Sequence, residues 1–192
     1  YTTSDWSGGS TTQLFIFPPD ASYAKRNFDF RLSSAQVKDE TSIFTPLPGV
    51  KRFISSLTNE FLLTHKAVDG CTKQVAVKPL GVHCFDGCTK QVAVKPLGVH
   101  CFDGGDVTEC IGSGADFNLM LKNAEGKLLF CDSLEGDFEF VFVYCTQPTT
   151  AVLCNENQQK IIRLNKNELL AISEAKNFKL TLSRSCLVSV IL

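Results

Sequence analysis

The stretch that decides the fold lies at residues 28–37 and reads FDFRLSSAQV. Its side chains alternate between two faces, as they do along an extended strand. One face carries Arg31, Ser33, Ala35 and Val37, and the other carries Phe28, Phe30, Leu32 and Ser34. This alternation predicts a β-strand with a charged residue, Arg31, in the middle of one face.

The extended pattern continues on both sides of this stretch. We expect further strands at residues 12–17, 51–54, 60–63, 116–122, 127–131 and 138–144, and shorter ones around 152, 161–162, 169–170, 178–182 and 187–192. Turn-forming residues separate them at intervals of about 8–12 residues, which is typical of a β-sandwich or barrel. Residues 22–27 are the only helix candidate and a weak one, so the sequence predicts an all-β chain.

The composition argues against several classes of function. Of the 192 residues, 44% are hydrophobic and 20% are charged, and the formal net charge is −1. A near-neutral chain without a Lys/Arg block gives no basis for binding nucleic acid or an anionic membrane. No apolar run reaches the roughly 18 residues of a membrane span. We therefore expect a soluble protein with neither nucleic acid nor membrane as a partner.

The cysteines indicate a reducing compartment. There are nine, an odd number, none of them in a C-x-x-C pair, and most lie in apolar runs where Cys acts as a small hydrophobe. Residues 1–10 are polar and lack the apolar core of a signal peptide. These features predict reduced core thiols in a cytoplasmic protein.

One segment occurs twice without any change. Residues 69–85 read DGCTKQVAVKPLGVHCF, and residues 86–102 repeat them letter for letter. Each copy has the pattern of a hairpin, with a strand on either side of a Pro-Leu-Gly turn. Because two identical hairpins cannot fill one place in a closed sheet, we expect one copy to be surplus, from a recent duplication or from an error in the sequence.

Four segments together resemble one protein family. Residues 6–12 (WSGGSTT) are similar to the W-x-G-G-x-T-T opening of HutD/Ves proteins, and residues 28–37 to their F-x-[WF]-R-x-S-x-A-x-V strand. Phe44 with residues 48–52 (PGVKR) matches their F-x-x-x-P-G-V-x-R segment. Residues 102–106 (FDGGD) and 116–120 (DFNLM) match F-x-G-x and D-x-N-x-M. The order is that of the family, whose pattern has room for one copy of the repeat.

The resemblance implies a fold and a general role. The implied fold is a cupin-like (RmlC-type) antiparallel β-barrel, with two small cupin modules in one chain (a bicupin). We place the N-terminal module at residues 1–115, including the repeat, and the C-terminal module at 116–192. HutD proteins accompany bacterial histidine-utilisation genes, and the family looks like small-molecule binders or regulators without an established reaction.

The histidines do not form the ligand set of a metal cupin. Such a site needs H-x-H-x(3–4)-E and a later His, whereas the three histidines here, His65, His83 and His100, form no H-x-H. His65 has no acidic partner at the required offset, and one imidazole makes a poor transition-metal site. We therefore expect neither a metal nor another cofactor.

Arg31 is the principal candidate for a binding residue. If its face points into the barrel, a buried guanidinium needs an anion or several acceptors. A ligand carboxylate would pair with it through two hydrogen bonds. The alternative is an internal salt bridge, for which Asp116 is the candidate, and the two interpretations can coexist.

Other polar residues are candidates for the same pocket. Asp116 and Asn118 alternate with apolar neighbours and would form a polar floor, or else face solvent. Ser33 shares the face of Arg31. Trp6 precedes two glycines and would border an anion site with the hydroxyls of Thr11 and Thr12, or else fill a barrel end.

These residues predict a binding protein. The leading hypothesis is a small carboxylate metabolite held by Arg31 with Trp6, Thr11, Thr12, Ser33, Asp116 and Asn118 nearby. Family analogy suggests a regulatory role in histidine breakdown. The rival is a metal-free isomerase or hydrolase of a small acid with Asp116 or His65 as base, and a third interpretation is a structural protein whose barrel is filled. We assign no catalytic residue, and a homodimer remains open.

Overall fold

The computed structural model describes residues 1–66, 82–85, 89–155 and 158–192. The chain divides into two compact units, unit 1 (Tyr1–Asn123) and unit 2 (Ala124–Leu192). The regular elements of the described residues are all β-strands, and the candidate helix at 22–27 is a turn. The all-β prediction is therefore confirmed.

Unit 1 contains two antiparallel sheets. The first has, in spatial order, β1 (Thr2–Trp6), β2 (Gly9–Phe17), β3 (Phe30–Val37), β11 (Gly114–Leu121), β5 (Lys51–Ser56) and β9 (Val99–Asp103). The second has β4 (Thr41–Phe44), β10 (Val107–Ile111), β6 (Phe61–Lys66), β8 (Thr89–Val94) and β7 (Val82–Phe85). The strand predicted at 28–37 is β3, and it lies near the centre of the first sheet.

An apolar cluster joins the two sheets of unit 1. It contains Val37, Phe44, Ile54, Phe61, Leu63, Val92, Val94, Phe102 and Cys110, with Trp6 packed against it. These residues come from both sheets and alternate with outward residues, as a half-buried strand requires. Full burial of an aromatic residue such as Phe61 contributes about 3 kcal/mol through the apolar area removed from water. The interior of unit 1 therefore lies between the sheets, on the face of β3 that carries Arg31.

Unit 2 is one antiparallel sheet of four strands. Its spatial order is β12 (Gly126–Tyr144), β15 (Leu169–Ile191), β13 (Thr149–Asn155) and β14 (Gln158–Leu164). Both β12 and β15 are single long strands where the sequence predicted several short ones. Phe140 pairs with both Ser173 and Ile191, so the two ends of β15 flank one end of β12. The register of the pairing shifts between Gly136 and Phe138, but β12 continues through this irregularity.

The repeat does not form a hairpin in its second copy, and this prediction was wrong. Strands β8 and β9 both come from residues 86–102, but they belong to different sheets. The chain turns between them at Leu97, whose amide donates to the carbonyl of Ser56 at 2.7 Å and whose φ is 62°. The first copy supplies β7, which pairs with β8 at the edge of the second sheet. The remainder of the first copy, residues 69–81, lies outside the described residues.

The boundary between the units falls after Asn123, eight residues beyond the predicted one. β11 pairs with β3 through Gly114–Val37 to Leu121–Phe30, and with β5 on its other side. A strand held by neighbours on both sides belongs with them. Asp116 and Asn118 therefore lie in unit 1 beside Arg31.

Candidate functional site

Three parallel rows of side chains cross the first sheet of unit 1 on its inner face. Strand register places Thr11, Ala35, Asp116 and Ser56 in one row, Gln13, Ser33, Asn118 and Ile54 in the next, and Ile16, Arg31, Met120 and Arg52 in the third. Opposite residues in adjacent antiparallel strands lie about 4.5–5.5 Å apart at Cα. The rows bring residues from distant parts of the sequence together in one patch.

A cavity of about 170 Å³ opens over this patch. It is lined by Ser4, Asp5, Trp6, Thr11, Tyr23, Arg31, Ser33, Ala35, Phe44, Thr45, Arg52, Asp116, Asn118 and Met120. Six of the seven residues proposed from the sequence are among them. The seventh, Thr12, follows Thr11 along the strand, and its hydroxyl lies 2.9 Å from that of Thr3. Neighbours in a strand point to opposite faces, so Thr12 does not reach the cavity.

Arg31 is buried, with 4% of its surface exposed. Its Nε donates to Oε1 of Gln13 at 3.0 Å, and Nη1 donates to the hydroxyl of Ser33 at 3.2 Å. The guanidinium carbon lies 4.3 Å from the ring centre of Tyr23, within the range of a cation–π interaction. Burial lowers the pKa of Arg31 from its ordinary value. All of these partners are neutral.

Arg52 is a second buried guanidinium that the sequence reasoning missed. It lies two strands from Arg31 in the same row, with 6% of its surface exposed. Its Nη2 donates to Oδ1 of Asn118 at 3.2 Å, and its guanidinium lies 5.0 Å from the ring centre of Phe102. The Nε of Arg52 is buried without a hydrogen-bond partner. Burial lowers the pKa of Arg52 to about 10, which leaves it charged at neutral pH.

Asp116 and Asn118 form the floor of the cavity. The Nδ2 of Asn118 donates to Oδ1 of Asp116, so this amide links the carboxyl group to Arg52. Only 1% of the surface of Asp116 is exposed. Burial raises the pKa of Asp116 to about 7, against the opposing effects of Arg52, the backbone of Ala35 and Asn118.

The charges in the cavity are not balanced by ion pairs. The ion pair that the structure records within its described ranges is Lys179–Glu135, on the surface of unit 2. Arg31 and Asp116 therefore do not form the salt bridge that the sequence left open as an alternative. A buried charge without a counterion is expensive, because desolvation costs several kcal/mol per ion. The cavity thus presents two buried cations and the carboxyl group of Asp116, which titrates near neutrality, and a second acidic residue, Asp5, is part of its lining.

Trp6 closes the cavity beside the apolar cluster. Its ring packs edge-on against Phe44, with 6.4 Å between ring centres. The adjacent glycines allow this packing, since a Cβ at Gly8 would lie 2.3 Å from the Trp6 ring and one at Gly9 would lie 2.0 Å from the carbonyl of Gln36. The indole Nε1 of Trp6 is buried without a hydrogen-bond partner. Trp6 therefore packs on the core and also lines the cavity.

His65 and His100 are not among the residues that line the cavity. The Nε2 of His65 lies 3.0 Å from Nε2 of His100, and Nδ1 of His65 lies 2.9 Å from the hydroxyl of Thr108. Both rings are buried and pack near Phe102. Across the described ranges, no group of three or more His, Cys, Asp and Glu residues is placed to hold a metal ion.

The fold and this cavity define a cupin-like β-protein whose described site is built from arginine, amide and carboxyl groups. The chain belongs to the HutD family, whose sequence model matches residues 1–189. No curated protein matches the chain significantly. In the part of the chain that the structure describes, no helix is long and apolar enough to cross a membrane.

Solved structures with the same fold include two from Pseudomonas. HutD from P. fluorescens SBW25, in a formate condition, is 18% identical with a TM-score of 0.71, and the match covers 100% of this chain and 93% of that one. A conserved protein of unknown function from P. aeruginosa PAO1 is 19% identical with a TM-score of 0.70, over 100% and 93% of the two chains. The formate complex of Lactobacillus farciminis oxalate decarboxylase is 5% identical with a TM-score of 0.59, over 99% and 82%. At these identities the likeness concerns the fold, and it agrees with the predicted cupin-like class.

Proposed function

We propose that the protein binds a small carboxylate metabolite in the cavity of unit 1. The observation that carries the proposal is the pair of buried guanidiniums, Arg31 and Arg52, which face one cavity without a carboxylate ion pair. An anion placed between them would supply the missing counter-charge and accept charge-assisted hydrogen bonds.

Unused donors support the same ligand chemistry. Nε1 of Trp6 and Nε of Arg52 are buried donors without acceptors, and both residues line the cavity. A buried donor left unpaired costs about 1–3 kcal/mol, which a ligand oxygen would recover. Formate appears with two structures of this fold, the P. fluorescens HutD and the L. farciminis oxalate decarboxylase.

The size of the cavity favours a small ligand. A volume of about 170 Å³ is below the roughly 300–1,000 Å³ of pockets for drug-sized molecules. A short carboxylic acid would fit, with Phe44 and Met120 offering apolar contact. Family analogy extends the proposal to a regulatory role in histidine catabolism, in which the ligand would report the state of the pathway.

A thermal-shift series tests the proposal. The ligands are formate, acetate, succinate and glutarate, and the variants are Arg31→Ala and the matched control Arg163→Ala, which removes an exposed arginine of unit 2. A ligand at a hundred times its Kd stabilises the protein by about 2.7 kcal/mol, a shift of several degrees. We expect that shift in the wild type and in Arg163→Ala and its loss in Arg31→Ala. If none of the four acids stabilises the wild type, the proposal fails.

A second candidate function rests on Asp116. A cavity carboxyl group with a pKa raised to about 7 is suited to general base catalysis near neutral pH, as in an isomerase or hydrolase of a small acid. His65, the other base considered, does not line the cavity. Turnover of a small acid that disappears in Asp116→Asn would favour this enzyme over the binding protein.

A further inference from the structure

We propose that carboxylate binding in this cavity is coupled to uptake of one proton by Asp116, so that the protein holds its ligand more tightly as pH falls. This inference rests on the proposed function, since it concerns the regulation of the same site. It makes Asp116 a proton-linked switch rather than a fixed counter-charge.

The position of Asp116 gives the first reason. Its carboxyl group lies in the row next to the one that contains Arg31 and Arg52, on the floor of the same cavity, and is almost fully buried. An anion held by the two arginines would share a cavity of only about 170 Å³ with it. Two negative charges in one small cavity repel each other, which favours the neutral form of Asp116.

The hydrogen bonding around Asp116 gives the second reason. Asn118 receives a hydrogen bond from Arg52 at its oxygen and donates one to Asp116 from its nitrogen. Arg52 attracts the carboxyl group through space but is hydrogen-bonded to it only through this neutral amide, and no direct ion pair holds Asp116 in its charged form. Once an anion pairs with Arg52, the attraction that favours ionised Asp116 is weakened further.

Few other groups around Asp116 can take the proton. The charged or titratable groups on neighbouring elements are Arg31 on β3, Arg52 on β5, Cys110 on β10, Asp5 on β1, and Tyr23 and Arg26 in the turn after β2. Burial raises the pKa of Cys110 to about 12, so this thiol stays neutral, and the pKa of Arg52 near 10 keeps it charged. Asp116, with a pKa raised to about 7, changes charge within the physiological range.

The sign of the coupling follows from linkage. In the empty cavity Asp116 loses its proton near pH 7. A bound anion raises the pKa of Asp116 further. At a pH between the pKa of the empty protein and that of the liganded protein, binding therefore takes up one proton. Below pH 7 the carboxyl group is already neutral, and affinity is flat. Above pH 7 the Kd rises by up to about tenfold per pH unit, until the pKa of the liganded form is passed. Neutral Asp116 also gains an O–H that could donate to the ligand.

Calorimetric titration between pH 6.5 and 8.5 tests the coupling, with whichever of formate, acetate, succinate and glutarate gives the largest thermal shift. Asp116→Asn keeps the shape of the side chain and removes the charge, and Asp39→Asn is the control for an exposed carboxylate in unit 1. We expect roughly fivefold weaker binding at pH 8 than at pH 7 in the wild type and in Asp39→Asn, because Asp116 is already half ionised at pH 7. In Asp116→Asn the affinity should be independent of pH and at least equal to that of the wild type at pH 6.5.

A second measurement uses only the wild type, so its result does not depend on whether Asp116→Asn folds. The wild type is titrated at pH 7.5 in HEPES and in Tris, whose ionisation enthalpies differ, and the difference in observed heat gives the number of protons taken up. Uptake of up to about three quarters of a proton supports the coupling, because about a quarter of Asp116 is already protonated in the empty cavity at this pH. Binding without proton uptake, or with the same pH dependence in Asp116→Asn, overturns it while leaving the binding function intact. Failure of all four acids to bind at any pH overturns both.

Discussion

The inward face of the first sheet in unit 1 and the interior of unit 2 differ in the kind of side chain that each one buries. In unit 1 this face carries Arg31, Arg52, Asp116 and Asn118 around a cavity. In unit 2 the buried cluster is made of Val141, Val143, Cys145, Ala151, Leu164, Ala175, Phe178, Leu180, Leu182, Cys186, Val188 and Val190. Both are antiparallel β-structures, so strand architecture alone does not decide which unit binds a ligand.

Under the proposed function, the difference between the two units separates a binding site from a stabilising core. An apolar interior gains free energy from every contact, whereas buried unpaired cations lower stability unless a ligand compensates them. Cys145 and Cys186, whose sulfurs are 3.7 Å apart, fill space in unit 2 as small hydrophobes would. We infer that unit 2 contributes mainly stability and that unit 1 holds the site. The comparison can be tested by changing one unit at a time.

The largest effect is expected from a truncation in unit 2. Leu180 is fully buried in the apolar cluster, so Leu180→Ala should lower the free energy of unfolding by about 2–5 kcal/mol. Urea unfolding measures the change. Ile161→Ala is the control, because that side chain is 65% exposed and its loss should cost less than about 0.5 kcal/mol. A loss in Leu180→Ala no larger than in the control would mean that unit 2 is not a packed core.

The next effect is the pH dependence of stability in unit 1. The pKa of Asp116 is about 7 in the folded protein and about 3.8 in the unfolded chain, so the folded state binds the proton more tightly. This contribution is fully present below pH 4 and is lost as pH rises through 7, a change of at most about 4 kcal/mol. We expect Asp116→Asn to be more stable than the wild type at pH 8, as measured by chemical unfolding. At pH 4 the advantage of the variant should be smaller, because Asp116 is then protonated in the folded wild type. Parallel pH profiles for the two proteins would contradict the assignment.

A smaller effect on stability is expected from Arg52→Met, and it should stabilise the ligand-free protein rather than destabilise it. Removing a buried cation that forms no ion pair also removes its desolvation cost, which is several kcal/mol per ion. Arg52→Met should therefore raise the melting temperature of the ligand-free protein slightly while removing the shift caused by carboxylates. Strong destabilisation of the ligand-free protein by Arg52→Met would instead mark Arg52 as a structural residue.

The smallest effect is expected from deleting one copy of the repeat. The second copy supplies β8 and β9, one in each sheet of unit 1, whereas the first supplies only the edge strand β7 among the described residues. Because the copies are identical, deleting residues 69–85 leaves a sequence that can still form both strands. We expect a shift in melting temperature of a few degrees at most and unchanged carboxylate binding. Loss of folding would show that the first copy is needed.

The sequence predicted the central strand of the site because its alternation was unambiguous. In β3, period-two alternation placed Arg31 and Ser33 on one face, and both side chains line the cavity. The same rule would have separated Thr11 from Thr12, since consecutive residues cannot share a face. Arg52 was missed although it alternates with the buried Ile54, which was the available signal.

Other features depended on information that local patterns do not contain. Strand β15 was predicted as three short strands, whereas the chain passes through Glu174 and Asn177 with positive φ and continues as one strand. The crossing of β8 and β9 between sheets depends on tertiary pairing at Leu97, which no local pattern specifies. The contact between His65 and His100 likewise joins strands of different sheets.

The most direct test of the central claim is a calorimetric titration of the wild type, Arg31→Met, Arg52→Met and Arg163→Met with the same carboxylate at pH 6.5. We expect one saturable site in the wild type and in Arg163→Met. Affinity should fall by roughly a hundredfold in each cavity variant, as for the loss of a charge-assisted hydrogen-bonded pair. Equal affinity in all four proteins would contradict a carboxylate site built on the two buried arginines.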